Sequence, residues 1–227
     1  MDSTPMPSGL DEEKLVAYFD RLQNIFAEMD RKYGIAAQSY GFQCRGCEDN
    51  CCRTRFYHHT YLEYLLIRKG FDNLDSSVRS AIWARAAEVC RQTEPADDKG
   101  VPVRLMCPLN IDGMCTLYRF RPMICRLHGI PHELQKPGQP VVHGPGCGVF
   151  DEQCSEKPYF KFDRTQFYFE MAGLENEFKQ AAGLTGRIKL TVAEMITEFG
   201  SRNAEVGMKK QRAERMGHSA EGRGHEA

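Results

Sequence analysis

The sequence predicts a mainly α-helical protein in which amphipathic helices flank a small, irregular, cysteine-rich core with a short β-hairpin. Apolar residues recur at helical spacing in several segments, the pair Asp112-Gly113 marks a tight hairpin, and the ten cysteines are clustered. With 227 residues, we expect one domain over residues 11–200. A flexible lead at 1–10 precedes it, and a disordered polar tail at 201–227 follows it.

Composition and charge exclude several classes of protein. The formal net charge of −1 gives the chain no overall attraction to nucleic acid or to a membrane. No apolar run approaches the roughly 20 residues of a membrane-spanning helix, and the first residues lack the basic and apolar regions of a secretory signal. We therefore expect a cytoplasmic protein with neither nucleic acid nor membrane as a partner. Because cytoplasmic thiols stay reduced, clustered cysteines there favour metal ligation over disulfides.

Two helix starts are marked near the N-terminus. A helix over residues 11–33 has apolar residues on one stripe and acidic residues at its start, and Gly34 is its predicted end. Thr60-x-x-Glu63 is a capping box that predicts a second helix, which ends near Gly70.

The same kinds of signal predict the remaining elements. In chain order they are a short strand at 56–58, a helix over 76–93, a polar break over 94–100, a strand over 101–106, an irregular loop over 129–150, a helix over 164–182 and a last helix opened by Thr191-x-x-Glu194.

The central stretch, residues 107–128, has the sequence CPLNIDGMCTLYRFRPMICRLH. Its Asp-Gly turn should bring Cys107 and Cys115 close together. Pro122 then favours the start of a helical turn that carries Cys125. Three thiols converging on one point are half of a metal site.

The other half lies upstream, where Cys44 and Cys47 are followed by Cys51 and Cys52. The C-x2-C spacing lets two thiolates chelate one metal ion or cluster. In extended backbone, the adjacent side chains of Cys51 and Cys52 should face different directions. They could serve two metal atoms, or one could ligate while the other packs.

The clustered cysteines form a candidate set of eight thiol ligands, which suits two tetrahedral four-thiolate sites or two cubane clusters. Zinc and iron both fit such a set. Cys90 lies on a helical core stripe and is interpreted as a small core residue, and Cys154 lies in a polar segment with no turn to direct it. The candidate metal ligands are Cys44, Cys47, Cys51, Cys52, Cys107, Cys115, Cys125 and Cys147.

Arginines and histidines accompany the cysteines. The arginines could offset thiolate charge and donate hydrogen bonds to sulfur, or form ordinary surface ion pairs. Of His58 and His59, one could be a ligand, or one could be packed and the other exposed; His128 is a candidate substitute ligand or ligand contact. The arginines beside the cysteines are Arg45, Arg53, Arg55, Arg119, Arg121 and Arg126.

The pattern C-x2-C-x3-C-C, followed by C-P-L-x3-G-x-C-x-L-Y-x2-R-P-x2-C-R, resembles the YkgJ-type cysteine-cluster family. That family is described as a zinc- or iron-chelating domain, and the match runs from Cys44 to Cys147, about half of the chain. The resemblance implies that the cysteines of this pattern are cluster positions, with Cys147 as the eighth. A related cluster occurs in flagellin lysine N-methylases.

Three functions are consistent with these patterns. The first is a metal-binding protein that holds zinc, iron or an iron–sulfur centre. The second is a metal-dependent enzyme, either a redox enzyme or, by the resemblance, a methyltransferase-like one; no G-x-G-x-x-G follows a predicted strand. The third is a structural zinc module that binds a protein partner. Disulfides, or a lone nucleophile at Cys125, explain the clustering less well.

Overall fold

The computed structural model describes residues 10–44, 51–98, 101 and 103–200. Within these residues the fold is mainly helical with two small antiparallel hairpins, which confirms the predicted class. The predicted tail, the lead as far as residue 9, and Cys47 lie outside the described residues. The elements are α1 (Glu12–Tyr40), α2 (Tyr61–Asp72), α3 (Ser76–Asp98), β1 (Asn110–Ile111), β2 (Met114–Cys115), α4 (Met123–Leu127), β3 (His132–Gln135), β4 (Val141–Gly144), α5 (Gly148–Cys154), α6 (Thr165–Ala181) and α7 (residues 192–200).

Helix α1 is the longest element and packs against α2, α4 and α6. Asp11 caps its start as the acidic first turn predicts. The predicted end at Gly34 is wrong, because the helix continues to Tyr40, about two turns further. Ala36 and Tyr40 are fully buried in that extension, and their burial offsets the roughly 1 kcal/mol that a glycine costs inside a helix. The helix ends at Gly41, which has a left-handed φ of 69°.

The apolar stripes predicted for the helices form one continuous core. The apolar residues of α6 and α7 pack together with those of α1 and α2. None of the helices in the described part of the chain combines the length and the apolarity needed to cross a membrane. The largest fully buried side chains include Leu22, Met29, Tyr61, Tyr64, Phe71, Phe167, Phe178 and Phe199.

Helix α2 begins at the predicted capping box. The Glu63 N–H donates to Thr60 Oγ1 (3.2 Å). The helix runs past Gly70 to Asp72, and Gly70 has a packing role instead of a terminating one. A Cβ at this position would lie 2.7 Å from the ring of Phe120. The close approach of this ring places the segment before α4 against α2.

The region between α3 and β1 differs from the prediction. Helix α3 continues to Asp98 through Pro95, where the break over 94–100 was predicted. Pro95 removes one helical hydrogen bond, and the Val101 N–H then donates to the Ala96 carbonyl near the helix end (2.9 Å). The strand predicted over 101–106 does not form in the described residues of that range.

Residues 129–150 contain regular structure, so the predicted irregular loop is wrong. Strands β3 and β4 pair antiparallel, with His132 opposite Gly144. Their connection includes Gly138 with a φ of 69°, a turn conformation that glycine allows at no steric cost. Pro and Gly here mark the ends of a hairpin. A single bridge joins His58 to Leu190 in place of the short strand predicted over 56–58.

Glu175, on α6, caps helix α2. Its carboxylate is buried and accepts the N–H groups of Tyr61 (2.8 Å) and Leu62 (3.2 Å). Burial raises the pKa of Glu175 to about 7, although the two amide donors act in the opposite direction. Protonation of this carboxyl group therefore makes the stability of the contact between α6 and the start of α2 depend on pH.

The Glu175→Gln variant should lose part of the pH dependence of stability. The pKa of Glu175 is higher in the folded state than in the unfolded state, so the folded state holds the proton more tightly. Its contribution is fully present below about pH 4 and is lost as the pH rises through about 7. Between about pH 5 and pH 8, the free energy of unfolding should fall by on the order of 1–3 kcal/mol more in the native protein than in the variant. Urea denaturation at several pH values measures the free energy of unfolding of the native protein and of the variant. Parallel pH profiles would contradict the proposed effect of Glu175 on stability.

Candidate metal centre

Four thiols face one another beside the β1–β2 hairpin. Burial and the neighbouring thiols of Cys52 and Cys115 raise the pKa of Cys107 to about 12. Burial likewise raises the pKa of Cys125, to which the thiols of the other three cysteines contribute. Burial also raises the pKa of Cys115, and the neighbouring thiol of Cys52 contributes to this rise. All four are therefore mutual neighbours, and we call Cys52, Cys107, Cys115 and Cys125 the first thiol group.

The predicted hairpin brings two of these thiols together. Asp112 and Gly113 have φ angles of 50° and 81°, as a type I′ turn requires. The same turn places Asn110 opposite Cys115 in the strand pair. The Cys107 N–H donates to the Cys52 carbonyl (2.8 Å), which joins the upstream cysteine segment to the hairpin.

Both hairpin sulfurs accept backbone hydrogen bonds. The Leu109 N–H lies against the Cys107 sulfur, and the Leu117 N–H lies against the Cys115 sulfur, each lowering the pKa against the larger effect of burial. Both leucines are buried and hold these amides in place. Such donors favour the thiolate form that binds metals. These donors were not predicted from the sequence, although the repeated Cys-x-Leu pattern was a usable signal.

Cys125 is positioned by the start of α4. The helix begins at Met123, one residue later than predicted, and Pro122 is the residue immediately before it. The Met123 N–H donates to Glu63 Oε1 (2.8 Å). Glu63 thereby joins α2 to the short helix that carries Cys125.

Arg126 fixes the chain that leads into α4. Its guanidinium donates to Asp30 Oδ2 (2.5 Å), to the Arg121 carbonyl (2.8 Å) and to the Arg119 carbonyl (2.6 Å). It also lies 4.3 Å from the centre of the Phe26 ring. Its hydrogen bonds hold the backbone, and of the two roles considered for these arginines it forms the ion pair, with Asp30.

Arg121 lies near the thiols, so of the two roles considered for these arginines it fits charge compensation. It acts to lower the pKa of Cys52 and of Cys115, and its guanidinium stacks 3.6 Å from the centre of the Tyr118 ring. Arg85, a distant residue of α3, was not among the residues predicted from the sequence. Its Nε and Nη2 donate to the Pro108 carbonyl at 3.1 and 2.9 Å, next to Cys107.

Cys51 and Cys52 interact directly, contrary to the prediction that their thiols diverge. They lie in a 3₁₀ turn, Cys51–Arg53, and the divergence rule applies to extended backbone. The Cys51 thiol hydrogen-bonds Cys52, so the pKa of Cys51 rises and that of Cys52 falls. Asn110 and Arg121 also favour the Cys52 thiolate.

Three further thiols gather around Tyr33. Burial raises the pKa of the Tyr33 hydroxyl, and the thiols of Cys44, Cys147 and Cys51 act in the same direction. A Cβ on Gly129 would lie 3.0 Å from Tyr33 Oη and 3.9 Å from Cys147 Sγ. We call Cys44, Cys51 and Cys147 the second thiol group. The predicted ligand Cys47 lies outside the described residues.

The present arrangement is a set of neighbouring thiols. Within the described ranges, no three Cys, His, Asp or Glu side chains are gathered closely enough to hold a metal ion as they stand. The described cysteines are all free thiols.

The two cysteines left out of the ligand set have other surroundings. Cys90 is half-buried against the core, with its sulfur 3.6 Å from Thr197 Oγ1. Cys154 is a core residue at the end of α5, and its sulfur lies 3.6 Å from the Tyr40 carbonyl. The polar sequence around Cys154 concealed this burial, because only one face of that short helix turns inward.

The histidine pair divides as one packed and one exposed ring. His58 is buried and His59 is exposed. The Nε2 atom of His58 has no hydrogen-bond partner in the described structure. His128 lies edge-on to the ring of Phe56, with the ring centres 5.2 Å apart.

The first thiol group borders a cavity of about 1080 Å³. Its apolar walls come from α3, α7 and the segment before β1, and include Val89, Leu105 and Val192. His58 and Arg121 also line it. The cavity is large enough to admit a small molecule.

Comparison with known proteins adds no relative. No family model, curated protein or solved structure matches this chain. The resemblance to the YkgJ-type family therefore stays a prediction.

Gly129→Ala should destabilise the protein, whereas Gly34→Ala should stabilise it. Gly129 has a φ of 115°, and a Cβ there would press on the Tyr33 hydroxyl, so we expect a loss of about 1–3 kcal/mol. Gly34 is helical and a Cβ there would have nothing within 4 Å, so we expect a gain of about 0.5–1 kcal/mol. Urea denaturation of both variants tests this contrast; a neutral Gly129→Ala would refute the close approach.

Proposed function

We propose that this chain is a metal-binding protein that holds zinc or iron, including an iron–sulfur centre, through the thiolates of about eight cysteines. The first thiol group carries this proposal. Four thiols from three separate segments are mutual neighbours, and two of them already accept backbone N–H groups. Four thiolates form the complete ligand shell of a structural zinc site or of a cubane cluster.

The energetics of burial favour a metal at this position. Burial raises the pKa of three of the four thiols, so in the metal-free protein they are neutral. A bound cation replaces the protons, and its charge stabilises the thiolates that burial disfavours. Arg121 and the two leucine amides supply further stabilisation to the sulfurs.

The second thiol group supports a second centre. The thiols of Cys44, Cys51 and Cys147 all act to raise the pKa of the Tyr33 hydroxyl, and Cys51 also hydrogen-bonds Cys52 of the first thiol group. Cys51 and Cys52 would then contribute one ligand to each centre. The YkgJ-type resemblance supports the same eight ligands, with Cys47 completing the second set.

A metal-dependent enzyme is the second candidate, and the cavity beside the first thiol group favours it. A substrate there would contact both the metal centre and His58. An enzyme of this kind should bind a small molecule or change oxidation state. Calorimetry with S-adenosylmethionine and voltammetry of the metal-loaded protein test the methyltransferase-like and redox versions; silence in both would reject them.

Protein purified without oxygen should contain two metal centres per chain. Zinc would give about two colourless ions, and iron–sulfur clusters would give a brown protein with visible charge-transfer absorption. Elemental analysis and a visible spectrum measure this. A fully folded protein without metal would contradict the proposal.

Single substitutions should distinguish ligands from other cysteines. Cys115→Ser and Cys147→Ser should each lose about one centre, and Cys115→Ser should also destabilise the domain by several kcal/mol. Cys90→Ser and Cys154→Ser are the matched controls; they should keep both centres, with a packing cost on the order of 1 kcal/mol for the buried Cys154. Metal loss in the controls and retention in Cys115→Ser would show that the ligand set is wrong.

A further inference from the structure

Most of the cavity beside the first thiol group is lined by side chains that are not candidate metal ligands. Val89 comes from α3, Leu105 from the segment before β1, and Val192 and Ala193 from α7. These apolar residues reach the cavity from three segments that are distant in the sequence. The volume of about 1080 Å³ is that of a large site for a small organic molecule, which buries most of its surface against apolar walls.

Several polar side chains on the helical walls of the cavity already have partners within the protein. Thr93 Oγ1 donates to the Val89 carbonyl (2.6 Å), and Thr197 Oγ1 donates to the Ala193 carbonyl (2.8 Å). The Glu194 carboxylate accepts a backbone N–H at the start of α7 (2.6 Å). Because these groups are used to hold the two helices, a bound molecule meets mainly apolar surface along these walls.

His58 differs from these residues. It lines the cavity, its side chain is only 2% exposed, and its Nε2 has no hydrogen-bond partner in the described structure. Its backbone N–H and carbonyl both pair with Leu190, at 2.8 and 3.1 Å, so the residue is held in place. A buried polar atom without a partner is unfavourable. The position therefore calls for a hydrogen-bonding group on a molecule in the cavity.

The lining also selects the class of molecule. Moving a charged group into an apolar cavity is costly. Charges of both signs line this cavity, including Glu94 and Arg55, so neither an anion nor a cation is favoured. Burial lowers the pKa of His58, which keeps the ring neutral, with one nitrogen as a donor and the other as an acceptor. A hydroxyl group both donates and accepts, so it pairs with Nε2 in either tautomer.

We propose that this cavity binds an uncharged, largely apolar small molecule whose hydroxyl group forms a hydrogen bond with His58 Nε2. The inference deepens the second candidate function, because it names the class of molecule that the cavity takes, and it rests on that function for any chemistry performed on the molecule. Binding itself depends on the apolar walls and on His58, and it does not require a metal.

Nile red, an uncharged dye whose fluorescence rises in apolar surroundings, tests the cavity in the full-length protein. The native protein should bind the dye saturably. Val89→Phe and Val192→Phe fill the cavity from two different helices and should each weaken dye binding by about 10-fold. Val16→Phe is the matched control, because Val16 is 41% exposed on α1 and is not among the described residues that line the cavity. Urea denaturation shows which variants are folded.

A matched pair of competitors tests the contact with His58. para-tert-Butylphenol and tert-butylbenzene differ only in the hydroxyl group, and each should displace Nile red from the native protein. In His58→Phe, the affinity of the phenol relative to the hydrocarbon should fall by about 5-fold, since the hydroxyl loses its partner. His59→Phe is the control, because His59 is exposed, and it should keep the native ratio.

Each outcome of these titrations is decisive. Absence of dye binding to the native protein, or equal binding to the native protein and to the folded filled variants, would overturn the inference. A native affinity ratio in His58→Phe would overturn the pairing with His58. The metal content of the same preparations separates this inference from the proposed function. Protein that holds metal and binds no dye would refute only this inference, whereas folded, metal-free protein that binds the dye would refute only the metal-binding function.

Discussion

The constraint that organises this molecule is the burial of several thiols against one another. Cys107 and Cys125 lie deep enough for burial to raise the pKa of both well above that of a free thiol. Neutral thiols can occupy such a site without a counter-charge, whereas thiolates require a cation and hydrogen-bond donors. The backbone amides of Leu109 and Leu117 are already aimed at two of the sulfurs. This arrangement suits metal thiolates better than it suits an ordinary core.

The surrounding fold holds short, irregular segments in place through long-range polar contacts. Glu63 of α2 caps α4, and Arg126 joins α4 to α1 through Asp30. Arg85 of α3 donates hydrogen bonds to the Pro108 carbonyl. Each contact fixes a segment that has too few residues to be stable alone. The helical core thus holds the short cysteine segments in place.

Local signals explain which features were predictable from the sequence. The Asp112-Gly113 turn and the capping boxes at Thr60 and Thr191 act within a few residues, and the structure contains all three. The predicted end of α1 at Gly34 was wrong because burial of the following residues outweighs the low helix propensity of glycine.

The candidate site was only partly predictable for the same reason. Neighbouring cysteines along the chain indicated ligands, and the hairpin indicated which thiols meet. Arg85 approaches from α3, remote in sequence, and its contact with the Pro108 carbonyl depends on packing that no short pattern encodes. X-ray absorption at the metal edge of the purified protein tests the central claim most directly. All-sulfur coordination, at about 2.3 Å for zinc, is the expected result; nitrogen or oxygen ligands in place of sulfur would contradict the account.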